Sequence, residues 1–134
     1  WEVFSRHWDM PTTKGNVRFL PVSSDGFLTS MASSNGVLCG AGFETPSEAL
    51  FLGKPLLVVP MKGQFEQQCN AAALAQMGVT TMPEFEPHSL QTLRAWLDES
   101  KTVAVDYPDE SREILLQALE GSKAPVLAGR TFPA

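Results

Sequence analysis

Short apolar runs separated by polar or glycine-containing turns recur over the first 81 residues, and other apolar positions are spaced as in helices. One run, Leu56–Val59, is apolar at every position, which is typical of a parallel strand covered on both faces. The polar stretch Asp9–Asn16 has the composition of a loop. Five runs predict strands: Trp1–Ser5, Val17–Leu20, Val37–Cys39, Leu56–Val59 and Val79–Thr81.

Between and after these runs, apolar residues recur at intervals of three and four, as on one face of an α-helix. Gly53, Gly78 and Gly121 follow three such segments and suit the position just after a helix end. Strands joined by helical connections of this length form parallel pairs with right-handed crossovers. The pattern predicts an α/β domain, a Rossmann-like parallel sheet with helices on both faces. The predicted helices cover Phe27–Met31, Thr45–Leu52, Gln64–Met77, Leu90–Leu97 and Asp109–Leu119.

Composition narrows the class of protein. The chain has 134 residues, 43% apolar and 19% charged, which suits one packed domain. Ten basic residues against fifteen acidic ones give a net charge of -5, which argues against nucleic-acid partners. Apolar runs are too short to span a bilayer, and the two cysteines, Cys39 and Cys69, are too few for a metal-ligand set. We expect a reduced, cytoplasmic protein without a bound metal.

The loop after the third predicted strand, Gly40–Glu48, could bind an anion. Its glycines allow backbone N–H groups to approach a ligand closely, and we expect Thr45 to be the N-cap of the next helix, with Pro46 at its first position. Free N–H groups and the positive end of the helix dipole would then hold a phosphate. Thr45 and Glu48 also fit an ordinary capping box, which the residues alone favour.

The loop after the fourth predicted strand, Pro60–Asn70, carries a different set of polar groups. Glu66, Gln67 and Asn70 lie three and four residues apart and share one face of the predicted helix. A carboxylate and carboxamides offer the paired donors and acceptors that sugar hydroxyls require, although this loop taken alone favours a solvated polar face or local capping. The two loops follow neighbouring strands, where open α/β sheets bind ligands, and this favours a site for a phosphorylated sugar.

Three segments of the chain carry a resemblance to a known family. The ordered combination is more specific than any one piece, and it resembles the C-terminal donor-binding half of GT-B glycosyltransferases. It is similar to the glycosyltransferase family 28 C-terminal domain, typified by the peptidoglycan N-acetylglucosaminyltransferase, and more distantly to UDP-glucuronosyl- and plant glucosyltransferases. The segments are Val37–Leu50 (VLCGAGFETPSEAL), Gly53–Pro60 (GKPLLVVP) and Glu66–Ala71 (EQQCNA).

The resemblance implies roles for the first loop. Glu48 matches the family carboxylate that accepts hydrogen bonds from both ribose hydroxyls of the nucleotide. The residues Gly42, Phe43, Glu44 and Thr45 match the loop whose backbone and hydroxyl hold the diphosphate. A nucleotide-sugar, as donor substrate, would therefore lie against this loop, and no further cofactor is implied.

The resemblance also assigns residues outside that loop. Glu66 and Gln67 match the acidic-Gln pair that reads the donor sugar, and Pro21 and Val22 match the segment lining the base pocket. Gly40 stands where many family members have a His contacting the diphosphate, so that charged contact is missing or comes from elsewhere. No residue of the chain is assigned as catalytic, because the general base belongs to the N-terminal domain in this fold.

These implications give a functional expectation. Residues 1–122 would be a donor-binding domain that lacks the first strand and helix of the family domain, and 123–134 a C-terminal extension. The full protein would transfer a sugar from a UDP-sugar without a metal, with its N-terminal domain binding the acceptor and providing any peripheral membrane contact. The chain alone would bind nucleotide weakly and catalyse nothing. Two alternatives remain: a non-catalytic nucleotide-sugar-binding module and a sugar-nucleotide epimerase of the same fold.

Overall fold

A computed structural model describes residues 1–99 and 101–121 and contains every predicted strand and helix. The proposed boundary at residue 122 and the extension 123–134 lie outside the described residues. In chain order the elements are β1 (Glu2–Phe4), β2 (Thr12–Lys14), β3 (Val17–Leu20), α1 (Ser24–Ser33), β4 (Val37–Gly40), α2 (Glu44–Phe51), β5 (Leu56–Val59), α3 (Phe65–Gln76), β6 (Thr80–Thr81), a 3₁₀ turn (Pro87–Ser89), α4 (Leu90–Glu99) and α5 (Ser111–Gly121).

The strands form two sheets of three strands, ordered β1–β3–β2 and β4–β5–β6. The second sheet is parallel throughout: Val37 pairs with Leu56, and Leu57 pairs with Thr80. The crossover helices α2 and α3 connect its strands, as the apolar pattern predicted. The α/β class and the Rossmann-like parallel arrangement are confirmed.

The first sheet corrects one prediction, because the stretch expected to be a loop contains β2. Thr12 pairs antiparallel with Phe19, and Lys14 pairs with Val17 across a turn at Gly15, whose φ is 60°. The pairing is stabilised by Trp8, which stacks on Phe19 with 4.7 Å between ring centroids. A short polar strand of this kind depends on its partner, so its own residues do not indicate it.

Helices cover both faces of the second sheet, as predicted. Leu56 and Val58 point toward α2 and α3 and join the larger core cluster, while Leu57 points to the other face. On that other face Met82 and Trp96 cover Leu57, and Trp96 comes from α4. The strand β5 is therefore dry on both sides, which explains its uninterrupted apolar sequence.

Glycines follow two of the helices at the predicted ends. Gly53 and Gly78 follow α2 and α3 with φ of 63° and 95°, so these two ends are confirmed. The third predicted end, at Gly121, coincides with the last described residue of α5 and stays a prediction.

Candidate functional site

The carboxyl ends of β4 and β5 bring the two polar loops together around one open pocket of about 460 Å³. The strands pair directly, Gly40 with Val59, so the loops that follow them start side by side. All four residues expected to hold a diphosphate line the pocket, together with Gln67 from the second loop. The lining residues are Cys39, Gly40, Gly42, Phe43, Glu44, Thr45, Pro46 and Gln67.

The start of α2 differs from the prediction by two residues. Phe43 is the N-cap, Glu44 is the first helical residue, and Thr45 lies inside the first turn, so Thr45 as N-cap was wrong. Phe43 already has helical backbone angles, and its carbonyl oxygen accepts bonds from the Ser47 hydroxyl (2.7 Å) and the Ser47 N–H (3.3 Å). Among the described residues no hydrogen bond joins Glu48 to Thr45, so the capping box is not formed.

This helix start presents free donors to the pocket. The first N–H groups of a helix have no partner within it, and Pro46 has no N–H at all. In the described part of the chain the backbone N–H groups of Phe43, Glu44 and Thr45 have no acceptor. A β-carbon built on Gly42 would meet nothing within 4 Å, so a ligand can approach the backbone there. Together with the helix dipole these groups suit an anion.

Gln67 lies across the pocket and is held in place by its own loop. Its Oε1 accepts a hydrogen bond from the Met61 N–H at 2.9 Å, and its Nε2 donates to Gln64 Oε1 at 2.8 Å. A β-carbon on Gly40 would lie 3.5 Å from the same Oε1, which places Gln67 directly beside the end of β4. Each polar atom of the carboxamide keeps capacity for one further hydrogen bond to a ligand.

Asn70 ties the two loops to each other. Its Nδ2 donates to the carbonyl oxygen of Ala41 at 3.1 Å, and Ala41 is completely buried. The sequence pattern grouped Asn70 with Glu66 and Gln67 as a possible sugar contact, whereas in the structure its amide fixes the backbone just before Gly42. The side chain therefore positions the candidate anion site.

Five of the nine assigned residues meet at this pocket, and four do not. Glu48 is exposed one turn further along α2, and Glu66 is exposed in the first turn of α3. Pro21 and Val22 follow β3 directly, ahead of the α1 N-cap, and Val22 is 63% exposed. None of these four lines the pocket, so their assigned roles remain predictions.

The charge around the pocket is unusual for an anion site. Glu44 is its one charged lining residue, and no Lys or Arg contributes to the lining in the described part of the chain. Burial raises the pKa of the Cys39 thiol to about 12, so this side chain stays neutral and serves as a small apolar wall. Backbone N–H groups are therefore the available positive partners for a phosphate.

An apolar cavity of about 670 Å³ adjoins the pocket, and the sequence pattern did not indicate it. It lies between α2 and α3 and is covered at one side by the segment from Val105 to Tyr107, which follows α4. Gly42, Phe43 and Pro46 line both spaces. Val103 and Val105 also pack on the main core, and their spacing of two residues, as on one side of an extended segment, was the one sequence signal for this return of the chain.

Other candidate features lie away from this site. His88 Nε2 is 3.5 Å from Glu84 Oε1, and neither it nor His7 lines the pocket. In residues 1–99 and 101–121, no three His, Cys, Asp or Glu side chains are grouped so that they could hold a metal ion. None of the helices in those ranges is long and apolar enough to cross a membrane.

Two polar loops at the carboxyl edge of a parallel sheet, one with free N–H groups and one with a carboxamide, are typical of nucleotide- or phosphosugar-binding α/β domains. The sequence model of the family described as Glycosyl transferase family 1 matches residues 4–131. The chain belongs to this glycosyltransferase family, and the resemblance found in the sequence motifs is confirmed at that level.

Two curated relatives agree with this assignment. An uncharacterized glycosyltransferase of Methanosarcina mazei is 32% identical over 114 residues, which cover 81% of this chain and 28% of that protein. The UDP-N-acetylglucosamine--N-acetylmuramyl-(pentapeptide) pyrophosphoryl-undecaprenol N-acetylglucosamine transferase of Rhizobium rhizogenes is 36% identical over 96 residues, 63% of this chain and 26% of that protein. The chain thus spans about a quarter of the length of each relative. No solved structure gives a significant match.

Proposed function

We propose that this chain is the donor-binding part of a glycosyltransferase that transfers a sugar from a UDP-sugar to an acceptor hydroxyl. The observation that carries the proposal is the pocket where free N–H groups at the start of α2 face Gln67 from the neighbouring loop. One wall suits a diphosphate and the other a polyol, and the two lie within one pocket of about 460 Å³. That combination matches the two chemical parts of a nucleotide-sugar.

In this proposal the backbone N–H groups at the start of α2 stabilise the negative charge that develops during the reaction. As the bond from the sugar to the diphosphate breaks, negative charge builds on the leaving phosphate oxygen. The N–H groups of Phe43, Glu44 and Thr45, with the α2 dipole, stabilise that charge in place of a metal ion. Fixed backbone donors need no reorganisation as the charge develops. Asn70 holds the loop that carries them in position through its hydrogen bond to the Ala41 carbonyl oxygen.

The remaining roles follow the family resemblance. Glu48 accepts hydrogen bonds from the ribose hydroxyls, Glu66 and Gln67 orient the sugar, and Pro21 and Val22 border the base. Because the chain spans about a quarter of its relatives' length, we assign the acceptor site and the general base to another part of the full protein. The chain alone should therefore bind nucleotide without catalysing transfer.

Calorimetric titration with UDP tests the donor site and the ribose role together. Replacing Glu48→Ala removes a carboxylate that would accept two hydrogen bonds, and hydrogen bonds to charged groups contribute about 1.5–3 kcal/mol each, so affinity should fall at least tenfold. The matched control is Asp98→Ala, because Asp98 is an exposed residue of α4 that does not line the pocket. This variant should bind UDP as the wild type does. Equal affinity of the Glu48→Ala and wild-type chains would remove the ribose role.

Metal independence and base preference need their own titrations. UDP affinity should be the same in Mg²⁺ and in excess chelator, since backbone groups neutralise the diphosphate. Loss of binding in chelator would instead assign that charge to a metal. Stronger binding of UDP than of ADP would support a uracil pocket near Pro21 and Val22, and equal binding would contradict it.

One observation favours a second function, a non-catalytic nucleotide-sugar-binding module. Gly40 lines the pocket where the family resemblance places a His that contacts the diphosphate, so the leaving group receives less stabilisation here. The full-length protein, incubated with a UDP-sugar and candidate acceptors, distinguishes the two. Release of UDP with a glycoside product supports transfer, and tight binding without turnover supports the module. An isomerised UDP-sugar would indicate the epimerase alternative.

A further inference from the structure

One short turn supplies both hydrogen-bond partners of the Gln67 side chain. It covers residues 61–64, between β5 and α3. Gln64 N–H donates to the Met61 carbonyl oxygen at 3.1 Å, and Gly63 has φ of 79°. A bond from the fourth residue to the first, with a positive φ at the third, is the pattern of a type II turn, and glycine suits that third position. The turn therefore fixes Met61 and Gln64 relative to each other.

Three hydrogen bonds join Met61, Gln64 and Gln67 in a closed ring. The first is the backbone bond of the turn itself. The other two end on the Gln67 carboxamide: Oε1 accepts from the Met61 N–H at 2.9 Å, and Nε2 donates to Gln64 Oε1 at 2.8 Å. Both distances lie in the ordinary range for N–H···O hydrogen bonds. The Gln67 side chain is thus held at both of its polar atoms.

The ring determines which way round the carboxamide lies. A backbone N–H can only donate, so the Gln67 atom that faces Met61 must be the oxygen. A carboxamide turned by 180° would place its NH₂ group against the Met61 N–H, and two donors cannot bond to each other. Gln67 lines the candidate donor pocket, so its remaining acceptor position and its remaining N–H are offered to a ligand in a fixed order.

The bond to Gln64 does something that the bond to Met61 cannot do alone. With a single hydrogen bond at Oε1, the carboxamide is free to pivot about that atom. A second bond at Nε2 stops the pivot and fixes the plane of the group. Gln67 is half-buried and has a long side chain, so order that exists before a ligand arrives is order that binding need not impose.

Other structural roles of Gln64 are few. It is the N-cap of α3, yet within the described chain its side chain makes no capping hydrogen bond. Gln64 is exposed, and it does not line the pocket. Substitution of Gln64 therefore changes the partner of Gln67 Nε2 without opening a cavity, removing a cap or altering a surface that the ligand touches.

We propose that Gln64 is a positioning residue for the donor sugar, because it holds the Gln67 carboxamide in the orientation that reads the sugar hydroxyls. Gln64 does not touch the ligand and acts through Gln67. This role rests on the proposed function, since it takes the group bound beside Gln67 to be the sugar of a nucleotide-sugar. Gln64 lies outside the three segments that carry the family resemblance, so the role is not implied by those motifs.

Calorimetric titrations separate the contribution of the sugar from that of the nucleotide. UDP-glucose, UDP-galactose and UDP-N-acetylglucosamine are titrated into this chain, and the affinity of the tightest is divided by that of UDP. Gln64→Met keeps an unbranched side chain of similar length but has no acceptor for Gln67 Nε2. It should lower this affinity ratio about two- to tenfold, the range expected for one hydrogen bond, and leave UDP affinity unchanged.

Two variants are the matched controls. Gln64→Glu keeps an acceptor oxygen beside Gln67, so its affinity ratio should equal that of the wild type, even where the added negative charge weakens both ligands alike. Gln68→Met makes the same substitution at an exposed glutamine of α3 outside the pocket, and it should bind both ligands as the wild type does. An unchanged ratio in Gln64→Met, or an equal loss in Gln64→Glu, would overturn the proposal.

NMR of the ligand-free chain tests the positioning without any nucleotide. In the wild type and in Gln64→Glu, one Nε2 proton of Gln67 should exchange with water more slowly than those of the exposed Gln68 carboxamide. In Gln64→Met the two side chains should exchange alike. Equal Gln67 exchange in Gln64→Met and in the wild type would overturn the proposal.

Failure of the proposed function gives a different result from failure of this role. If the wild-type chain binds neither UDP nor any of the three UDP-sugars, donor binding is contradicted and the sugar-reading role of Gln64 falls with it. If the wild type binds them and Gln64→Met binds them with the same affinity ratio, donor binding stands and only the role of Gln64 is overturned.

Discussion

The two sheets of this domain have three strands each but differ sharply in packing. In the β4–β5–β6 sheet Leu57 and Val58 are fully buried, and helices cover both faces. In the β1–β3–β2 sheet no residue is buried, and the same holds for every residue from 1 to 30. The difference shows that the burial of a strand depends on what covers it, since both sheets contain Val and Leu.

The candidate site depends on this difference. Both pocket loops leave the well-packed sheet, where Ala41 and Leu57 are fully buried, so their backbone groups are held by a rigid support. Pro21 and Val22, assigned to the base, follow a strand of the poorly packed sheet. We therefore expect the diphosphate part of the site to be preformed to a greater degree than the base part.

The largest expected effect is a loss of stability when a buried side chain of the β4–β5–β6 sheet is truncated. Leu57→Ala leaves a cavity between Met82 and Trp96, and buried Leu→Ala substitutions typically cost about 2–5 kcal/mol of unfolding free energy. Leu20→Ala, in a half-buried position of β3, should cost about 1 kcal/mol by its smaller buried area. Urea unfolding of both variants measures the contrast, and equal costs would show that the two sheets are packed alike.

The sequence predicts the well-packed sheet better than the other one, for a physical reason. Leu56–Val59 is buried on both faces, so its own apolar pattern indicates the strand. The strand Thr12–Lys14 is polar and owes its conformation to pairing with Val17–Leu20, which no local pattern indicates. The loop predicted over Asp9–Asn16 does contain the turn at Gly15, but the polar composition gave no sign of the strand that precedes this turn.

The meeting of the two loops was predictable from the sequence, but their local geometry was not. The ordered motifs indicated which two loops meet, and five assigned residues do line the pocket. The start of α2 was misplaced because Thr45-Pro46 fits two helix starts, and only the Ser47 bonds to the Phe43 carbonyl select between them. The role of Asn70 depends on a tertiary contact with Ala41, which spacing within one helix cannot indicate.

The next largest effect is expected at Gly36, which precedes β4 and packs closely against Trp96 of α4. A β-carbon on Gly36 would lie 3.0 Å and 3.1 Å from Trp96 ring atoms and 3.2 Å from the Pro55 carbonyl oxygen, so Gly36→Ala forces a shift. Overpacking of this kind costs about 1–3 kcal/mol of unfolding free energy.

Gly42→Ala is the matched control for that contact, because a β-carbon there meets nothing within 4 Å. Its unfolding free energy should stay within about 0.5 kcal/mol of the wild type, as for ordinary surface substitutions. The added methyl group does stand where the proposed diphosphate approaches the backbone, so UDP affinity should fall. A Gly36→Ala chain as stable as Gly42→Ala would contradict the tight packing described around Trp96.

A smaller, functional effect is expected at the end of β4. A β-carbon on Gly40 fits beside Gln67 Oε1 at an ordinary 3.5 Å, so Gly40→His should fold normally and place an imidazole in the pocket. Its charged form adds a cation near the diphosphate and should tighten UDP binding several-fold, about 1 kcal/mol for a partly exposed pair. Gly40→Ala is the control and should bind as the wild type does.

The pH dependence of that gain has a fixed sign. A bound diphosphate raises the pKa of the introduced imidazole above its ordinary value near 6.5, so the gain is complete below that pH and is lost as pH rises through the higher bound-state pKa. Titrations with UDP across pH 5.5–8.5 measure it. A gain that does not change with pH would mean that the imidazole acts without its charge.

The smallest effect tests how the poorly packed sheet is attached to α1. The Ser30 hydroxyl donates to Glu2 at 2.6 Å and, with Arg18 at 3.0 Å, lowers the pKa of the Glu2 carboxyl below its ordinary value of 4.5. A carboxyl whose pKa is lowered on folding stabilises the fold when the pH is above its unfolded-state pKa. That stabilisation disappears as the pH falls through its folded-state pKa. Glu2→Gln should therefore lower Tm by roughly a degree or two at pH 7, and the difference from wild type should shrink as pH falls below 4.5 and vanish once pH lies below the lowered pKa of the folded state. The control is Glu113→Gln, because Glu113 is an exposed residue of α5, and it should leave Tm unchanged at both pH values. A Tm difference of Glu2→Gln from wild type that persists in acid would show that the charge of the Glu2 carboxylate does not contribute to stability.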